Sequence, residues 1–135
     1  MTIPPSSGPI TILVVEGEPL LLRFLCTILE QAGYKVLSAC SAERAVSIVR
    51  EFAGTIDLLL TCVSLPRTSG PKMAEKLEWA RPGLSVILIS SDATACARAR
   101  LSGWHFVQKP FLPGTLLNTV KTTLDFDLES CSKAG

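Results

Sequence analysis

The sequence predicts an α/β fold, a doubly wound five-stranded parallel sheet in the order 2-1-3-4-5 with helices on both faces. Five short apolar segments alternate with five segments of helical periodicity, joined by only a few residues. The apolar segments show little polar alternation, as is typical of strands buried on both faces. A composition of 47% hydrophobic and 19% charged residues supplies the large core that this architecture needs. Right-handed crossovers leave few other topologies.

In the first half of the chain, two strand–helix units precede a third strand. Each strand is a run of mostly apolar, often β-branched residues. Pro19 suits the first turn of helix one, and Ser41 is a suitable N-cap for helix two. Gly33 and Gly54 stop these helices, because glycine readily adopts the conformation that follows a helix C-terminus. The predicted bounds are 10–15, 20–32, 35–39, 42–53 and 57–61.

The second half continues the alternation through two more strands and three helices. The turn at 81–83 breaks helix three, and Gly103 closes a weak, alanine-rich helix four. The last helix carries apolar residues at helical spacing, from Leu116 to Leu124. The predicted bounds are 71–80, 84–89, 94–101, 104–107 and 113–125. We therefore expect one domain over 10–127, a flexible N-terminal arm over 1–9 and a loose C-terminal tail over 128–135.

Charge and cysteine usage exclude several classes of function. A net charge of +1 gives no general attraction to nucleic acid or to an anionic membrane. No apolar run reaches the roughly 18–20 residues of a membrane helix, and the first residues do not have the pattern of a secretory signal. The five cysteines form no CxxC pair, so neither a zinc site nor a disulfide framework is indicated. A reduced, cytoplasmic protein is the expectation.

The candidate site lies at the carboxyl edge of the predicted sheet. Glu16 and Gly17 follow strand one, and Cys62 follows the predicted end of strand three. Ser90 follows strand four, and Lys109 follows strand five. In open parallel sheets, ligands bind outside the carboxyl ends of the strands, so these five residues are expected to lie close together.

Several motifs along the chain together resemble one known family. The motifs occupy 12–19, 57–66, 69–71, 81–83 and 108–111, with Ser90 between the last two. On these residues, the segment 10–125 resembles the receiver domain of bacterial two-component response regulators, especially receivers that are attached to or work beside sensor histidine kinases. The resemblance implies a flavodoxin-like, three-layer α/β/α architecture. It also implies a phosphoacceptor aspartate after strand three and a pair of acids after strand one that help hold Mg²⁺.

The sequence departs from that scheme at two of its positions. Cys62 stands at the phosphoacceptor position, and Gly17 stands where the second acid is expected. Glu16 keeps one acid, while the family's switch serine or threonine, switch aromatic and conserved lysine are matched by Ser90, Phe106 and Lys109. A hard dication prefers oxygen ligands to a thiol, so we expect no metal, no cofactor and no catalytic activity. The expected function is that of a pseudo-receiver, a regulatory module that acts independently of phosphorylation.

Two alternatives stay open for the chemistry of Cys62. One is a thiol redox switch, because Lys109 would favour the thiolate while Glu16 would oppose it. The other is a residual Mg²⁺-dependent phosphoacceptor. The third possibility is a purely structural role. Cys62 would then fill a pocket that no longer carries out a reaction, and Lys109 would form an ion pair with Glu16. The family resemblance also implies a cis peptide bond between Lys109 and Pro110.

Partners are expected to be proteins. Candidates are a signalling protein such as a histidine kinase or another regulator, or a second copy bound through the face of helix four, strand five and helix five. We expect no DNA-binding segment after the domain, so that output passes through contacts. Trp104 and Phe106 are either core residues or aromatic anchors for a partner. Arg98 and Arg100 are expected to be solvated, with pairing to acids across a dimer as the alternative.

Overall fold

The computed structural model describes residues 9–134, and the side chains of residues 9–125. Within that range the strands are two to six residues long, and the helices run from 8 to 22 residues. The strands are β1 Thr11–Val15, β2 Lys35–Ala39, β3 Leu58–Cys62, β4 Ser64–Leu65, β5 Thr68–Ser69, β6 Ser85–Ser90 and β7 His105–Gln108. The helices are α1 Pro19–Gln31, α2 Ala42–Glu51, α3 Gly70–Ala80, α4 Thr94–Leu101 and α5 Pro113–Ala134.

Five of the strands form a parallel sheet in the order β2-β1-β3-β6-β7. Counted without the small strands β4 and β5, this is the predicted order 2-1-3-4-5, and the prediction is confirmed. The register brings the strand ends to a common edge, because Cys62 pairs with Ile89 and Ser90 pairs with Gln108. Val15, the last residue of β1, pairs with Ala39 on one side, and it lies beside Thr61 on the other. The ends of the strands are thereby fixed by backbone pairing.

The core has two halves, one on each face of the sheet. Leu13, Leu59 and Leu88 point to the face that α2, α3 and α4 cover. Their strand neighbours, such as Leu60 and Ile87, point to the face that α1 and α5 cover. Burial on both faces explains the continuous apolar runs in the sequence and confirms the three-layer architecture.

The helix starts follow the sequence signals closely. Pro19 occupies the first turn of α1, where its missing N–H is not needed. The Ser41 side chain accepts a hydrogen bond from the Arg44 backbone N–H at 3.2 Å, so it is the predicted N-cap of α2. An unpredicted cap begins α1, where the Glu18 carboxylate accepts from the Leu20 backbone N–H at 3.2 Å.

The segment 64–70, which the sequence predicts as a loop, contains a two-stranded antiparallel hairpin. In it Ser64 pairs with Ser69 and Leu65 pairs with Thr68. The turn places Arg67 at a φ of 68°, a left-handed conformation that is unusual for a side chain other than glycine. A Cβ on Gly70 would overlap the backbone oxygen of Cys62, so only glycine fits where the hairpin meets β3.

The last helix is longer than predicted. It continues to Ala134, so the expectations of a helix ending at 125 and a loose tail over 128–134 are wrong. That stretch contains no glycine or proline to stop the helix, although it lacks the apolar periodicity that would have predicted it. Within the described range, neither α5 nor any other helix combines the length and apolarity needed to cross a membrane. Residue 135 and most of the predicted arm, 1–8, lie outside the described residues.

Candidate functional site

Four of the predicted site residues, Glu16, Cys62, Ser90 and Lys109, meet in a cleft of about 350 Å³ at the carboxyl edge of the sheet. The ends of β1, β3, β6 and β7 each contribute at least one side chain, as the register requires. The cleft is lined by Glu16, Cys62, Val63, Ser64, Ile89, Ser90, Ser91, Asp92 and Lys109. Four predicted residues are therefore brought together, and Gly17 follows one of them in the chain.

Cys62 is the last residue of β3 and is only 5% exposed. Its Sγ donates a hydrogen bond to the Ser64 carbonyl oxygen at 3.1 Å. Burial, and then the negative charge of Glu16, raise the pKa of the Cys62 thiol to about 11, although the Gly17 backbone N–H and Lys109 act in the opposite direction. At neutral pH the position of the nucleophile is therefore held by an uncharged thiol. Reactive cysteines have lowered pKa values, so the redox alternative is not favoured.

The remaining acid of the site is already engaged. Glu16 is buried, and its Oε1 lies 3.5 Å from the Lys109 ammonium nitrogen, which confirms the predicted ion pair. Its other oxygen accepts a hydrogen bond from the Glu18 backbone N–H at 3.0 Å. The peptide bond between Lys109 and Pro110 is cis, as the resemblance implied. Both oxygens of Glu16 thus have partners from the protein itself.

Gly17 leaves a place at the cleft where a side chain would fit. A Cβ there would lie 3.4 Å from Pro66 Cδ and 3.9 Å from the Cys40 carbonyl oxygen, which are ordinary contact distances. The glycine is therefore not demanded by the backbone or by crowding. Its effect on the site is chemical, because glycine supplies no oxygen ligand.

The residues at the cleft do not fit a Mg²⁺ ion. Magnesium prefers oxygen ligands in near-octahedral geometry, whereas positions 16, 17 and 62 offer an engaged carboxylate, a glycine and a thiol. In the part of the chain that the structure describes, no group of three or more His, Cys, Asp or Glu residues is arranged to hold a metal ion. Asp57 cannot substitute, because it precedes β3 and accepts the Thr11 backbone N–H at 2.8 Å.

Asp92 is the other carboxylate that lines the cleft, and it is exposed. It accepts the Thr94 backbone N–H at 3.0 Å, and hydrogen bonding to Thr94 lowers the pKa of its carboxyl. Ser90 contributes a hydroxyl that accepts the Asp92 backbone N–H at 3.0 Å. These bonds shape the loop after β6 and direct its polar groups to one another.

The two aromatic residues near β7 are core residues. Phe106 is half-buried and packs against the cluster under α2, α3 and α4, so it does not line the cleft. Trp104 is buried in the same cluster, and its Nε1 donates to Glu78 at 2.9 Å. The core-packing alternative for both residues is confirmed. Arg100 is exposed, as expected. The Arg98 side chain is 41% exposed and forms an ion pair with Glu75 of the same chain at 2.9 Å, a contact that was not predicted.

Sequence reasoning missed an exposed apolar surface beside the cleft, which we call the α1–α5 patch. It consists of Leu20, Leu21, Phe24, Pro110, Phe111 and Leu112. Leu20 is 76% exposed, Leu112 is 73% exposed, and the rings of Phe24 and Phe111 contact each other with centroids 6.5 Å apart. A groove of about 430 Å³ in the patch shares Ser91 and Lys109 with the cleft. The signal was the run of three leucines at 20–22, which exceeds what one buried helix face needs.

Comparison with known proteins gives a consistent result. Residues 12–121 match the family model described as the response regulator receiver domain. The sensor kinase CckA of Brucella abortus is 31% identical over 122 residues, which cover 88% of this chain and 13% of that protein. This chain spans between 13% and 54% of the length of the first curated relatives that it matches.

Solved structures agree with that match. A crystal structure of the receiver domain from the hybrid histidine kinase CckA is 34% identical with a TM-score of 0.72, and the match covers 84% of this chain and 98% of that one. The response regulator protein TrrA from Thermotoga maritima, solved in complex with Mg²⁺–BeF, is 25% identical with a TM-score of 0.74. That match covers 84% of this chain and 98% of the other.

Proposed function

Because this chain belongs to the response regulator receiver domain family, we propose that it is a pseudo-receiver, a regulatory module of two-component signalling that works without aspartyl phosphorylation. Receiver domains of two-component systems interact with histidine kinases and with other regulators. A module of this kind would act through such contacts rather than through a chemical step, and we assign it no catalytic activity.

The observation that carries the proposal is that two departures from the family scheme, Cys62 and Gly17, occur at the same site. A phosphoacceptor must present a nucleophile, and a bound Mg²⁺ must neutralise the charge on the transferring group. The first requirement is not met, because the buried thiol of Cys62 has a pKa raised to about 11 and is uncharged at neutral pH. Gly17 removes an oxygen ligand required for the second. Because the nucleophile and a metal ligand are both missing, we infer that the phosphorylation reaction has been lost rather than modified.

The contacts left in the cleft support a fixed rather than a responsive site. In the receiver family the corresponding lysine binds a phosphate oxygen, whereas here the Lys109 ammonium nitrogen lies 3.5 Å from Glu16 Oε1. The pair neutralises both charges in a partly buried setting, where an unmatched charge would be costly.

The α1–α5 patch supports a protein partner. An apolar surface of this kind is unusual on a monomeric soluble protein and typically marks a contact site. Phe24, 45% exposed, and Leu112 would be covered by a signalling protein such as a histidine kinase or a second regulator. Since the groove adjoins Lys109, such a partner would also cover the mouth of the cleft.

A homodimer through α4, β7 and α5 is the second candidate assembly, and analytical ultracentrifugation would test it. A cytoplasmic setting without nucleic acid or membrane partners is supported by the net charge of +1. It is also supported by Cys26, Cys40, Cys62 and Cys96, which are free thiols.

Beryllofluoride with Mg²⁺ tests the central proposal directly, because it occupies the place of a phosphoryl group on a receiver aspartate. Backbone amide NMR spectra of the wild-type protein should show no change on titration. The double variant Gly17→Asp/Cys62→Asp should respond at least in part, because a side chain fits at position 17 and the scaffold around it is intact. Intact mass after treatment with acetyl phosphate and Mg²⁺ gives an independent readout.

The matched control is Gly17→Asn/Cys62→Asn, which has nearly the same shape but supplies no carboxylate. It should stay silent in both measurements. A wild-type protein that responds to beryllofluoride, or that gains one phosphoryl group in a Mg²⁺-dependent way, would overturn the proposal. A folded but silent double aspartate variant would contradict the expectation that the residues at positions 17 and 62 alone prevent phosphorylation.

A further inference from the structure

The outer surface of α3 presents an aromatic side chain that the fold does not use. Trp79 is 88% exposed, although tryptophan is normally at least partly covered. A hollow of about 500 Å³ adjoins it, lined by Glu75, Glu78, Trp79 and Pro82, and we call these four residues the Trp79 surface. Tryptophan is among the residues most enriched at the energetic centres of protein interfaces.

The two carboxylates of this surface are held in position by neighbouring elements. Glu75 Oε2 accepts from the Arg98 guanidinium at 2.9 Å, which links α3 to α4. Glu78 Oε2 accepts from Trp104 Nε1 at 2.9 Å, which links α3 to the residue before β7. Each bond uses only Oε2 of its carboxylate. Among the described residues no hydrogen bond is made to the two Oε1 atoms, which can therefore bind solvent or a partner protein. Groups fixed in advance lose less conformational entropy when a partner binds.

The chain itself shows how an indole and a carboxylate recognise a cation here. The Arg98 guanidinium lies 5.5 Å from the centre of the Trp104 ring while it pairs with Glu75. That arrangement combines a cation–π contact with an ion pair. Trp79 supplies a second indole beside the same carboxylates, but no cation of the described chain lies over its ring.

From these contacts we propose that the Trp79 surface is a second protein-binding site, whose partner presents an arginine or lysine side chain to the indole and the two carboxylates. The surface lies on α3, which covers the opposite face of the sheet from α1 and α5. Occupation of the Trp79 surface therefore does not obstruct the α1–α5 patch. The domain can hold two partners at once and serve as an adaptor between them.

A defined peptide tests the chemistry without knowledge of the partner. The probe is a blocked pentapeptide with two arginines separated by glycine, compared with the same peptide carrying neutral citrulline in place of arginine. NMR spectra of ¹⁵N-labelled protein resolve the indole N–H signals of Trp79 and Trp104. We expect saturable shifts of the Trp79 signal with the arginine peptide in the millimolar range, reduced by salt, and much smaller shifts with citrulline.

Variants locate the binding to this surface. Trp79→Leu keeps an apolar helix former and should weaken binding about two- to fivefold, the factor expected for an exposed cation–π contact. Because this variant lacks the Trp79 signal, its binding is followed by the Trp104 indole N–H, which is bonded to Glu78. Glu78→Gln keeps an acceptor for Trp104 Nε1 but removes the charge, and it should weaken binding by a similar factor. Leu101→Ala on α4 and Leu112→Ala on the α1–α5 patch remove other exposed apolar side chains and should leave binding unchanged.

Three results would overturn the inference. They are equal shifts with arginine and citrulline, shifts that map to the α1–α5 patch, and no Trp79 shift in the millimolar range. The experiment is independent of phosphorylation, so its failure leaves the pseudo-receiver proposal standing. A beryllofluoride response, conversely, would overturn that proposal without affecting the Trp79 surface.

Discussion

Alkylation of Cys62 tests how far the cleft suppresses its thiol. Burial and Glu16 raise the pKa from 9.0 to about 11. At pH 8, two units correspond to about a hundredfold less thiolate. The more basic thiolate is also more nucleophilic, by about an order of magnitude over two units, so ionisation alone should slow alkylation about tenfold. Burial of the sulfur should slow it further, because the reagent must reach a side chain that is 5% exposed.

Charge variants should move the rate in opposite directions. Glu16→Gln removes a charge that raises the pKa of Cys62, so alkylation should become faster. Lys109→Met removes a charge that lowers the pKa, so alkylation should become slower. A purely steric effect would not separate the two variants in this way.

The assay is pulsed alkylation with iodoacetamide between pH 7 and pH 10, followed by peptide mass spectrometry. Cys62 of the urea-unfolded chain is the matched reference, and the exposed Cys40 reports that the reagent is active on the folded protein. The rate at Cys62 in the folded state should rise about tenfold per pH unit across the range, because the pKa lies above it. A plateau that begins near pH 8 or 9, or a rate equal to that of the unfolded chain, would refute the reasoning and revive the redox switch.

Three further predictions concern stability, each measured as the free energy of unfolding in urea. Gly70→Ala should cost at least about 2 kcal/mol because its Cβ meets the Cys62 carbonyl, whereas Gly114→Ala meets nothing within 4 Å and should gain about 0.5–1 kcal/mol. Arg81→Met should cost about 2 kcal/mol, because Arg81 donates to three carbonyl oxygens at and just after the end of α2; no loss would show that water replaces these bonds. Between pH 9 and pH 11 the wild type should lose stability that Cys62→Ala does not lose, because the unfolded thiol ionises before the folded one. Parallel pH profiles for the two proteins would contradict that linkage.

The sequence predicted the main sheet well because its strands are buried on both faces. Such strands appear as continuous apolar runs, and the short connections between them left few topologies. The hairpin at 64–69 was missed because two-residue strands have no periodicity, and Arg67 gives no glycine or asparagine signal at its left-handed turn. The end of α5 was missed because its last turns are helical without an apolar stripe.

The candidate site was predicted in composition but not in electrostatic balance. Strand ends in a parallel sheet must meet at one edge, so the grouping of Glu16, Cys62 and Lys109 followed from topology alone. Whether the thiol ionises depends on its burial, which a motif does not reveal and which proved to be the largest influence. The Trp104–Glu78 bond joins residues 26 positions apart, and local patterns carry no information about such contacts.

The ion pair at the cleft also has a consequence for the order of folding. Glu16 and Lys109 are separated by 93 positions, so their contact closes a loop that contains most of the domain. Lys109 follows β7, which joins the sheet only through β6. The entropy of closing so long a loop is recovered only after the intervening elements are in place. Loss of the pair should therefore speed unfolding while leaving the folding rate almost unchanged, which makes it a reporter of completed folding rather than part of the nucleus.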